Sequence, residues 1–392
     1  MGVKKLFTFL SENDIYKTYG HLNHLISDMR LNKNKMLIGV DANLFFYKYT
    51  HSCNNMLIGF FNQILKFLSN GLCPLYIFDG GTIKEKEKTN IDRNNNKKNN
   101  KVKLEELKET LAILKEKNIS SGNLDSGLIE EEQLSILIDK TYKKTIKVSN
   151  NYILQLTELL DLLNIPYIFA KGEGEYLAVL LNNYNVIDYF LTEDTDTIPA
   201  GINNIIKFTG GKVIYLNTDE IYKKFDISTD EFINLCVLMG TDYASFNIKK
   251  YKPIELLELI KNNDNVENIY NLFQINKEEF ENVVNIYKNV SKTEKCYLTN
   301  DLGNIDVNII NNHNLEIYSK ILKVYWHDFL SVFDNNITSS QFKTKIVKYI
   351  KTSMINENDV LTFLNNNIED MGETELKNIE LSLNYLNRFR NK

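Results

Sequence analysis

The stretch YFLTEDTDTIP at residues 189–199 joins an apolar run to three acidic residues, Glu193, Asp194 and Asp196. Carboxylates this close repel one another, and a turn needs only one of them to accept backbone hydrogen bonds. The run YFLT has the length and composition of a strand that is buried on both faces. The stretch therefore predicts a buried strand whose end carries more acid than a turn requires, and so a bound ligand at that end.

Four further apolar runs have the same character and are bounded by turn signals: MLIGV at 36–40, LYIF at 75–78, YIFA at 167–170 and VIYL at 213–216. Helix-like segments lie between the runs, at residues 60–71, 152–164 and 175–183. Strands that alternate with helices are typical of a mostly parallel sheet with helices on both faces. We therefore expect an α/β fold with a twisted, mostly parallel sheet.

Two regions break this alternation. No convincing strand is found between Gly80 and about Asn151, and residues 81–103 carry eight Lys or Arg against three Asp or Glu. Asn- and Lys-rich stretches of this kind are often solvated, flexible loops, which is one interpretation of that segment. Further along, the chain consists of Asn- and Lys-rich helical segments. We predict a core at 1–245, an insertion at about 80–151 and a helical carboxyl-terminal region at 246–392.

The composition argues against several classes of protein. With 392 residues, of which 43% are hydrophobic and 25% charged, the chain can bury a large core. Its apolar stretches are far shorter than the roughly 20 residues that cross a bilayer, and its beginning turns polar too early for a secretory signal. Four scattered cysteines and five histidines argue against a disulfide framework or a zinc site. We expect an intracellular protein with no membrane partner.

Acidic residues follow three of the predicted strands. Asp41 ends MLIGVD, Asp79 ends LYIFD, and Asp194 and Asp196 follow YFLT. In open α/β sheets, the carboxyl ends of the strands are where ligands bind. Residues two apart in extended backbone point to the same side, so we expect Asp194 and Asp196 to face one ion cluster.

Three more acids are predicted to reach the same edge. In KGEGEYLAVLL we expect Glu173 to precede a helix and Glu175 to open it, with Gly172 and Gly174 permitting the turn. Asp242 follows FINLCVLMGT, whose glycine can end a helix. Each acid alone is more often a cap or a turn former, but those roles do not explain why repelling groups collect at one edge. Carboxylates without His or Cys suit Mg²⁺ or Mn²⁺, and two such ions about 3.5–4 Å apart catalyse phosphodiester displacement.

Five motifs occur in the order found in one family: VDANLFFY at 40–47, FDG at 78–80, GEGEY at 172–176, LTEDTDT at 191–197 and LCVLMGTDY at 235–243. Together with the start MGVKKL, they resemble the signature blocks of the flap endonuclease/XPG-type 5′ nucleases over roughly residues 1–245. The segments GGTIKEKEK and GLIEEEQ look closest to the flap-endonuclease-like proteins of poxviruses. The resemblance implies a PIN-like core, a helical arch, and metal-dependent cleavage of branched or flap DNA in replication, recombination or repair.

The resemblance also implies roles for individual residues. Two Mg²⁺ ions, or Mn²⁺ in their place, would be held by Asp41, Asp79, Glu173, Glu175, Asp194, Asp196 and Asp242. Lys86 and Arg93 match the catalytic basic residues that steer the scissile phosphate, and Tyr47 matches the aromatic residue that stacks on the terminal base. The remaining residues expected to bind DNA are Gly2, Lys84, Lys88, Lys97, Lys98, Lys249 and Lys250.

Two departures from the family pattern concern its partners. The family's glycine-rich helix-hairpin-helix binds duplex backbone with a potassium ion, whereas here ASFNIKKYKPIELLELIK follows Tyr243 without a glycine. The segment ELSLNYLNRFRNK lacks the glutamine and paired aromatics of a sliding-clamp peptide. The expected partner is DNA with 5′ flaps, nicks, gaps or junctions. The expected location is the host cytoplasm for a poxvirus-like protein, and otherwise the nucleus.

Two alternatives remain open from the residues. DTDT at 194–197 resembles the Asp-x-Asp-x-Thr loop of haloacid-dehalogenase-type phosphatases, but that interpretation leaves Asp41, Asp79, Glu173 and Glu175 without a role. The second alternative is a catalytically weak or inactive factor that binds branched DNA. Its mark would be lost acids, and all of the predicted acids are present.

Overall fold

The structure is a computed structural model of the chain. It describes residues 2–29, 36–52, 55–80, 87–121, 124–145, 149–246, 248, 250–262, 266–290, 322, 324–333, 336–368 and 371–390. Three of the residues predicted to act on DNA, Lys84, Lys86 and Lys249, lie outside these ranges.

Within these ranges the strands form one sheet, and in chain order they are β1 (Lys17–Tyr19), β2 (Leu37–Asp41), β3 (Cys73–Phe78), β4 (Tyr167–Phe169), β5 (Tyr189–Leu191), β6 (Asn204–Thr209) and β7 (Lys212–Asn217). Their order across the sheet is β1-β7-β6-β5-β2-β3-β4. The neighbours from β6 to β4 are parallel, whereas β7 runs antiparallel to β6 and β1. The prediction of a mostly parallel sheet is confirmed.

The register of the central strands brings their carboxyl ends together. Val40 of β2 lies opposite Tyr76 of β3 and Leu191 of β5. Parallel strands in this register end at the same edge of the sheet, which is the edge that binds ligands in this class of fold. All of β2 is buried, which explains why its sequence LIGVD is a continuous apolar run that ends in one acid.

The five runs predicted as strands correspond to β2, β3, β4, β5 and β7, but the sequence did not reveal β1 or β6. β1 is KTY, three residues that are largely exposed, and it exists because it pairs with Val213–Tyr215 of β7. β6 is NIIKFT, which has only partial burial and lies between β5 and β7. The formation of these two strands depends more on pairing with neighbouring strands than on their own composition.

The helices in chain order are α1 (Leu6–Glu12), α2 (Leu22–Asp28), α3 (Ala42–Ser52), α4 (Met56–Ser69), α5 (Glu87–Ser121), α6 (Leu124–Lys143), α7 (Asn150–Leu162), α8 (Gly174–Asn183), α9 (Asp219–Phe225), α10 (Thr229–Met239), α11 (Pro253–Asn262), α12 (Val266–Phe273), α13 (Lys277–Val290), α14 (Trp326–Phe333), α15 (Ser339–Thr352), α16 (Glu357–Asn367) and α17 (Glu373–Arg390). The three predicted helices correspond to α4, α7 and α8. In the part of the chain described above, no helix is both long and apolar enough to cross a bilayer.

The insertion between β3 and α7 is a pair of long helices, α5 and α6, that pack on each other. Its described part contains no strand, as predicted. The loop interpretation of the basic segment is wrong for residues 87–103, because they belong to α5. α5 is polar on most of its surface, with Leu104 among its few buried side chains and ion pairs such as Lys108–Glu105 at 3.0 Å along it. A helix with so little apolar surface depends on its partner helix and on such pairs.

The carboxyl-terminal helices pack against the sheet and its helices. Lys343 of α15 is 8% exposed, and its Nζ lies 2.5 Å from Oδ1 of Asp188, just before β5. The other oxygen of Asp188 accepts a 2.9 Å hydrogen bond from the backbone amide of Leu37 at the start of β2. A buried charge is tolerated only when it is paired, and here the pair links α15 to two central strands. In the described part of this region, the chain is helical, as the sequence predicts.

Candidate active site

Asp41 and Asp79 stand at the ends of the neighbouring strands β2 and β3, and each is held by hydrogen bonds at both oxygens. Oδ1 of Asp41 accepts from the backbone amide of Leu44 at 3.0 Å, and Oδ2 accepts from Oγ1 of Thr192 at 3.0 Å. Oδ2 of Asp79 accepts from Nδ2 of Asn43 at 2.6 Å. These bonds fix the direction of both carboxylates at the sheet edge.

The other oxygen of Asp79 connects β3 to helix α8. The backbone amide of Gly174 donates a 2.7 Å hydrogen bond to Oδ1 of Asp79. Glu173 is the residue before α8 and Glu175 lies in its first turn, as predicted. A Cβ atom at Gly174 would lie 3.0 Å from Oδ1 of Asp79, a tight contact that would press on this carboxylate. Glycine at this position therefore lets the carboxylate of Asp79 approach the start of α8 closely.

The electrostatics of Asp41 show that the acids repel one another. Burial raises the pKa of Asp41 to about 7, and the charge of Asp79 and, less strongly, that of Asp194 act in the same direction. The hydrogen bonds from Leu44 and Thr192 oppose the shift but do not cancel it. A cation at this edge would relieve the repulsion.

The prediction that Asp194 and Asp196 lie in extended backbone is wrong. The segment after β5 folds into a turn because its side chains bond to its own backbone. Oγ1 of Thr192 accepts from the amide of Asp194 at 3.0 Å, and Oδ1 of Asp194 accepts from the amide of Asp196 at 3.1 Å. Such local bonds compete with an extended strand. We call residues 192–196 the acidic turn.

The two acids of the acidic turn have different surroundings as a result. The charge of Asp194 adds to the rise in the pKa of Asp41 that burial mainly causes. Asp196, in contrast, is fully buried and accepts a 2.7 Å hydrogen bond from the hydroxyl of Tyr287. The turn also touches the beginning of the chain, where Oγ1 of Thr195 donates to the carbonyl oxygen of Val3 at 3.1 Å. Gly2 lies against the same turn with a φ of +82°.

Asp242 follows helix α10, whose end at Gly240 has a φ of +94°, as the sequence predicts for a glycine that stops a helix. The next residue, Tyr243, shares a hydrogen bond between hydroxyls with Tyr176 of α8. Burial raises the pKa of Tyr243, and the charges of Asp196, Glu173 and Glu175 add to the shift. Tyr243 is therefore within the electric field of three predicted metal-binding acids.

The donor set fits a hard divalent cation. Four of the seven acids, Asp41, Glu173, Asp194 and Asp196, are at most 9% exposed, and no His or Cys is among the seven. Carboxylate oxygens are the ligands that Mg²⁺ and Mn²⁺ take in proteins. Within the described ranges, however, no three His, Cys, Asp or Glu side chains form a cluster already arranged around a metal position.

The structure describes the side chains of only some of the residues predicted to contact DNA. Nζ of Lys97 in α5 lies 5.3 Å from the ring centroid of Tyr47 in α3, so the insertion reaches over the aromatic residue. Lys98 is exposed on α5. Lys88 and Arg93 belong to α5, but their side chains are outside the described part.

A basic cavity of about 770 Å³ lies between α1 and residues 250–254. Lysines 5, 250 and 252 line it, against a single acid, Glu12. Lys250 was predicted to bind DNA, whereas the contribution of Lys5 was not foreseen. We call this feature the lysine groove.

Sequence inspection missed several residues of the site. Asn43 and Thr192 could have been found, because each lies within two residues of a predicted acid and carries a polar side chain suited to a turn. Tyr287 carries no such signal, because a tyrosine on the apolar face of a helix is typical of any core.

Two family models match the chain: the XPG N-terminal domain over residues 1–100 and the XPG I-region over residues 164–242. Among curated proteins, a probable RAD2-like endonuclease, 369L, of Invertebrate iridescent virus 6 is 25% identical over 305 residues, which cover 67% of this chain and 71% of that protein. Flap endonuclease 1 of Pyricularia oryzae is 26% identical over 278 residues, which cover 67% of this chain and 64% of that protein. The matched part thus spans about two thirds of these relatives.

Solved structures share the fold. The flap endonuclease-1 of Methanococcus jannaschii superposes with a TM-score of 0.57 at 15% identity, covering 99% of each chain. The catalytic core of Rad2 in complex with DNA substrate gives a TM-score of 0.54 at 19% identity, covering 97% of this chain and 100% of that one. At this level of identity, the likeness establishes the fold alone.

Proposed function

We propose that the chain is a structure-specific 5′ nuclease, because it matches the models of the XPG N-terminal domain and the XPG I-region and is 26% identical to a flap endonuclease 1 over 278 residues. The reaction would be metal-dependent hydrolysis of a phosphodiester bond in DNA with a 5′ flap, nick, gap or junction. The observation that carries the proposal is geometric: Asp41 and Asp79 end neighbouring parallel strands, and both carboxylates are held by hydrogen bonds at the same sheet edge, next to the start of helix α8. Structural roles alone do not require repelling carboxylates at one sheet edge.

The seven acids would hold two Mg²⁺ ions, with Mn²⁺ as an alternative. When bound, such ions supply a nucleophilic water and neutralise charge on the leaving oxygen. The chain's own contribution is to fix the carboxylates beforehand. Thr192 and Leu44 hold Asp41, and Asn43 and Gly174 hold Asp79. Groups held in this way need little reorganisation during the reaction.

The DNA would lie across the sheet edge, the insertion and the lysine groove. Tyr47 would stack on the terminal base, and the predicted basic residues Lys86 and Arg93 would stabilise charge that develops on the scissile phosphate. Lysines of α5 and of the groove would meet backbone phosphates. One relative is a viral protein, which supports a role in viral DNA replication, recombination or repair. We also propose that the protein acts inside the host cell.

The rival proposal is a factor that binds branched DNA with little or no catalysis. The two proposals differ in what the acids do, so the test compares cleavage with binding. End-labelled flap, nicked, gapped and junction DNA are incubated with the purified protein in Mg²⁺ and in EDTA. We expect cleavage that needs Mg²⁺ and depends on DNA structure. Tight binding without cleavage on all four substrates would favour the rival.

Matched variants locate the chemistry. Asp194→Asn and Asp196→Asn keep size and polarity, and we expect each to lower the cleavage rate at least about 100-fold while binding in Ca²⁺ stays within a few-fold. Lys86→Ala and Arg93→Ala should slow the single-turnover rate more than they weaken binding. Near-normal turnover in both Asn variants would remove these acids from the metal site.

A further inference from the structure

Tyr287 comes from helix α13, outside the two matched regions, and yet it contacts the acidic turn. Its hydroxyl donates a 2.7 Å hydrogen bond to Oδ1 of Asp196, 91 residues earlier in the chain. Tyr287 is 1% exposed and Asp196 is 0% exposed. The bond therefore joins two groups that are shielded from bulk water.

The surroundings of Tyr287 restrict what its hydroxyl can do. Its ring lies edge-on to the ring of Tyr243, with centroids 5.6 Å apart and an angle of 84° between the planes. The hydroxyl of Tyr243 is bonded to that of Tyr176. A buried phenol hydroxyl needs a partner, and the partner of Tyr287 is the carboxylate of Asp196.

Helix α13 is fixed on two sides, which fixes the direction of the tyrosine. Its buried face consists of Phe280, Val283, Val284, Tyr287 and Val290. Next to the tyrosine, Nζ of Lys288 lies 2.7 Å from Oδ2 of Asp230 at the start of α10. The helix is thus held by apolar burial on one face and by an ion pair beside it.

We propose that Tyr287 is a positioning residue for Asp196. By holding Oδ1, its hydroxyl sets the orientation of the carboxylate toward a divalent cation, so that α13 becomes part of the active site. This inference rests on the proposed function. Hydrogen bonds that orient metal ligands typically contribute 10- to 100-fold to metal affinity, and we expect about 10-fold here.

The test measures Mn²⁺ binding rather than cleavage. Wild type and Tyr287→Phe are stripped with EDTA and titrated with Mn²⁺ by calorimetry, at a temperature where circular dichroism shows both folded. Phe keeps the ring and removes only the hydroxyl. We expect Tyr287→Phe to bind Mn²⁺ about 10-fold more weakly than wild type.

Two controls separate positioning from stability. Tyr215→Phe removes another buried hydroxyl, which donates a 2.9 Å hydrogen bond to Oδ1 of Asn204. Val290→Ala loosens the same face of α13, where Val290 is 4% exposed, without touching the hydroxyl. Both controls should keep the wild-type affinity for Mn²⁺. A loss in Val290→Ala as large as that in Tyr287→Phe would overturn the proposal.

A double-mutant cycle tests whether Tyr287 acts through Asp196. In the Asp196→Ala background, which removes the oxygen that accepts this hydrogen bond, Tyr287→Phe should cause no further loss of Mn²⁺ affinity. Independent, additive losses would overturn the proposal. Wild-type affinity in Tyr287→Phe, in a protein that cleaves flap DNA, would overturn this inference alone. Failure of the wild-type protein to bind Mn²⁺ would overturn the proposed function as well.

Discussion

A Cβ atom added to Gly2 would lie 2.2 Å from Oδ1 of Asp194. It would also lie 2.7 Å from the backbone nitrogen of Asp196, so any side chain at position 2 would push into the acidic turn. Gly2 was predicted as a DNA-binding residue from family resemblance. Its contacts give it a second role, which is to leave room for the turn.

Gly2→Ala should therefore impair the site in addition to straining the backbone. The matched control is Gly201→Ala, because Gly201 has a φ of +96° but nothing within 4 Å of an added Cβ. We expect each variant to lose about 1–2 kcal/mol of unfolding free energy from the φ strain. Only Gly2→Ala should also lower single-turnover cleavage, by about 10-fold or more. Equal cleavage by both variants would show that the turn tolerates the displacement.

The carboxyl of Asp41 makes metal-free stability depend on pH. Its pKa is raised from 3.8 to about 7, so its contribution to stability is full below about pH 4 and is lost as the pH rises through 7. Asp41→Asn cannot ionise, and in EDTA at pH 8 it should exceed the wild type by about 1–3 kcal/mol. The difference should vanish near pH 4.

Urea unfolding in EDTA at pH 4, 6 and 8 measures this difference. Adding Mn²⁺ at pH 8 should then stabilise the wild type more than Asp41→Asn, because only the wild type has the buried Asp41 charge for the cation to neutralise. If the variant is no more stable than wild type at pH 8, the pKa of Asp41 is not raised in the metal-free protein.

The lysine groove predicts how duplex DNA is held. Lys250→Ala and Lys252→Ala should weaken duplex binding, and each lost phosphate contact should reduce the slope of log affinity against log salt by about 1. The control pair Lys223→Ala and Lys224→Ala, in helix α9, should change neither quantity. Fluorescence anisotropy over a salt series measures both.

A comparison of potassium with sodium tests whether the glycine-free segment after Tyr243 still binds duplex DNA through a potassium ion. Binding through lysines depends on ionic strength, so potassium and sodium at equal concentration should give the same affinity. Tighter binding of flap DNA in potassium would mean that the glycine-free segment after Tyr243 still forms the family's ion-binding hairpin.

Tyr47, which lies beneath Lys97 of the insertion, is predicted to stack on the terminal base of the DNA. Tyr47→Ala should slow cleavage of flap DNA by about 10-fold, since stacking of one base on an aromatic ring contributes about 1–3 kcal/mol. Tyr47→Phe keeps the ring and should retain most of the wild-type rate. Single-turnover kinetics distinguish the two variants. If Phe is as slow as Ala, the hydroxyl matters and the stacking role is wrong.

Asp41 and Asp79 illustrate what the sequence could predict. Each ends a continuous apolar run, and a buried parallel strand is the simplest structure for such a run. Placement of both acids at one sheet edge then follows from topology rather than from the identity of distant residues. Glu173 and Glu175 were placed at the start of α8 on a different ground, because the glycines at 172 and 174 permit a turn before the helix.

Asp194 and Asp196 illustrate what the sequence could not predict. Their spacing suggested extended backbone, but hydrogen bonds from the turn's own amides to Thr192 and Asp194 outweighed the strand pattern. The bond from Tyr287 to Asp196 spans 91 residues and leaves no local pattern. A contact between residues so far apart depends on how the helices pack. That packing is determined by the whole core and cannot be inferred from a local stretch of sequence.

The hydrogen bond between Val3 and Thr195 spans 192 residues, and its consequence concerns synthesis of the protein on the ribosome. At roughly 5–20 residues per second, Val3 waits on the order of 10–40 s before Thr195 is made. During that time the strands β2 and β3 can already pair, but the acidic turn does not yet exist. The nascent chain therefore cannot bring the predicted carboxylates together until most of the sheet has been translated, so the proposed metal site can form only late in the synthesis of each new molecule.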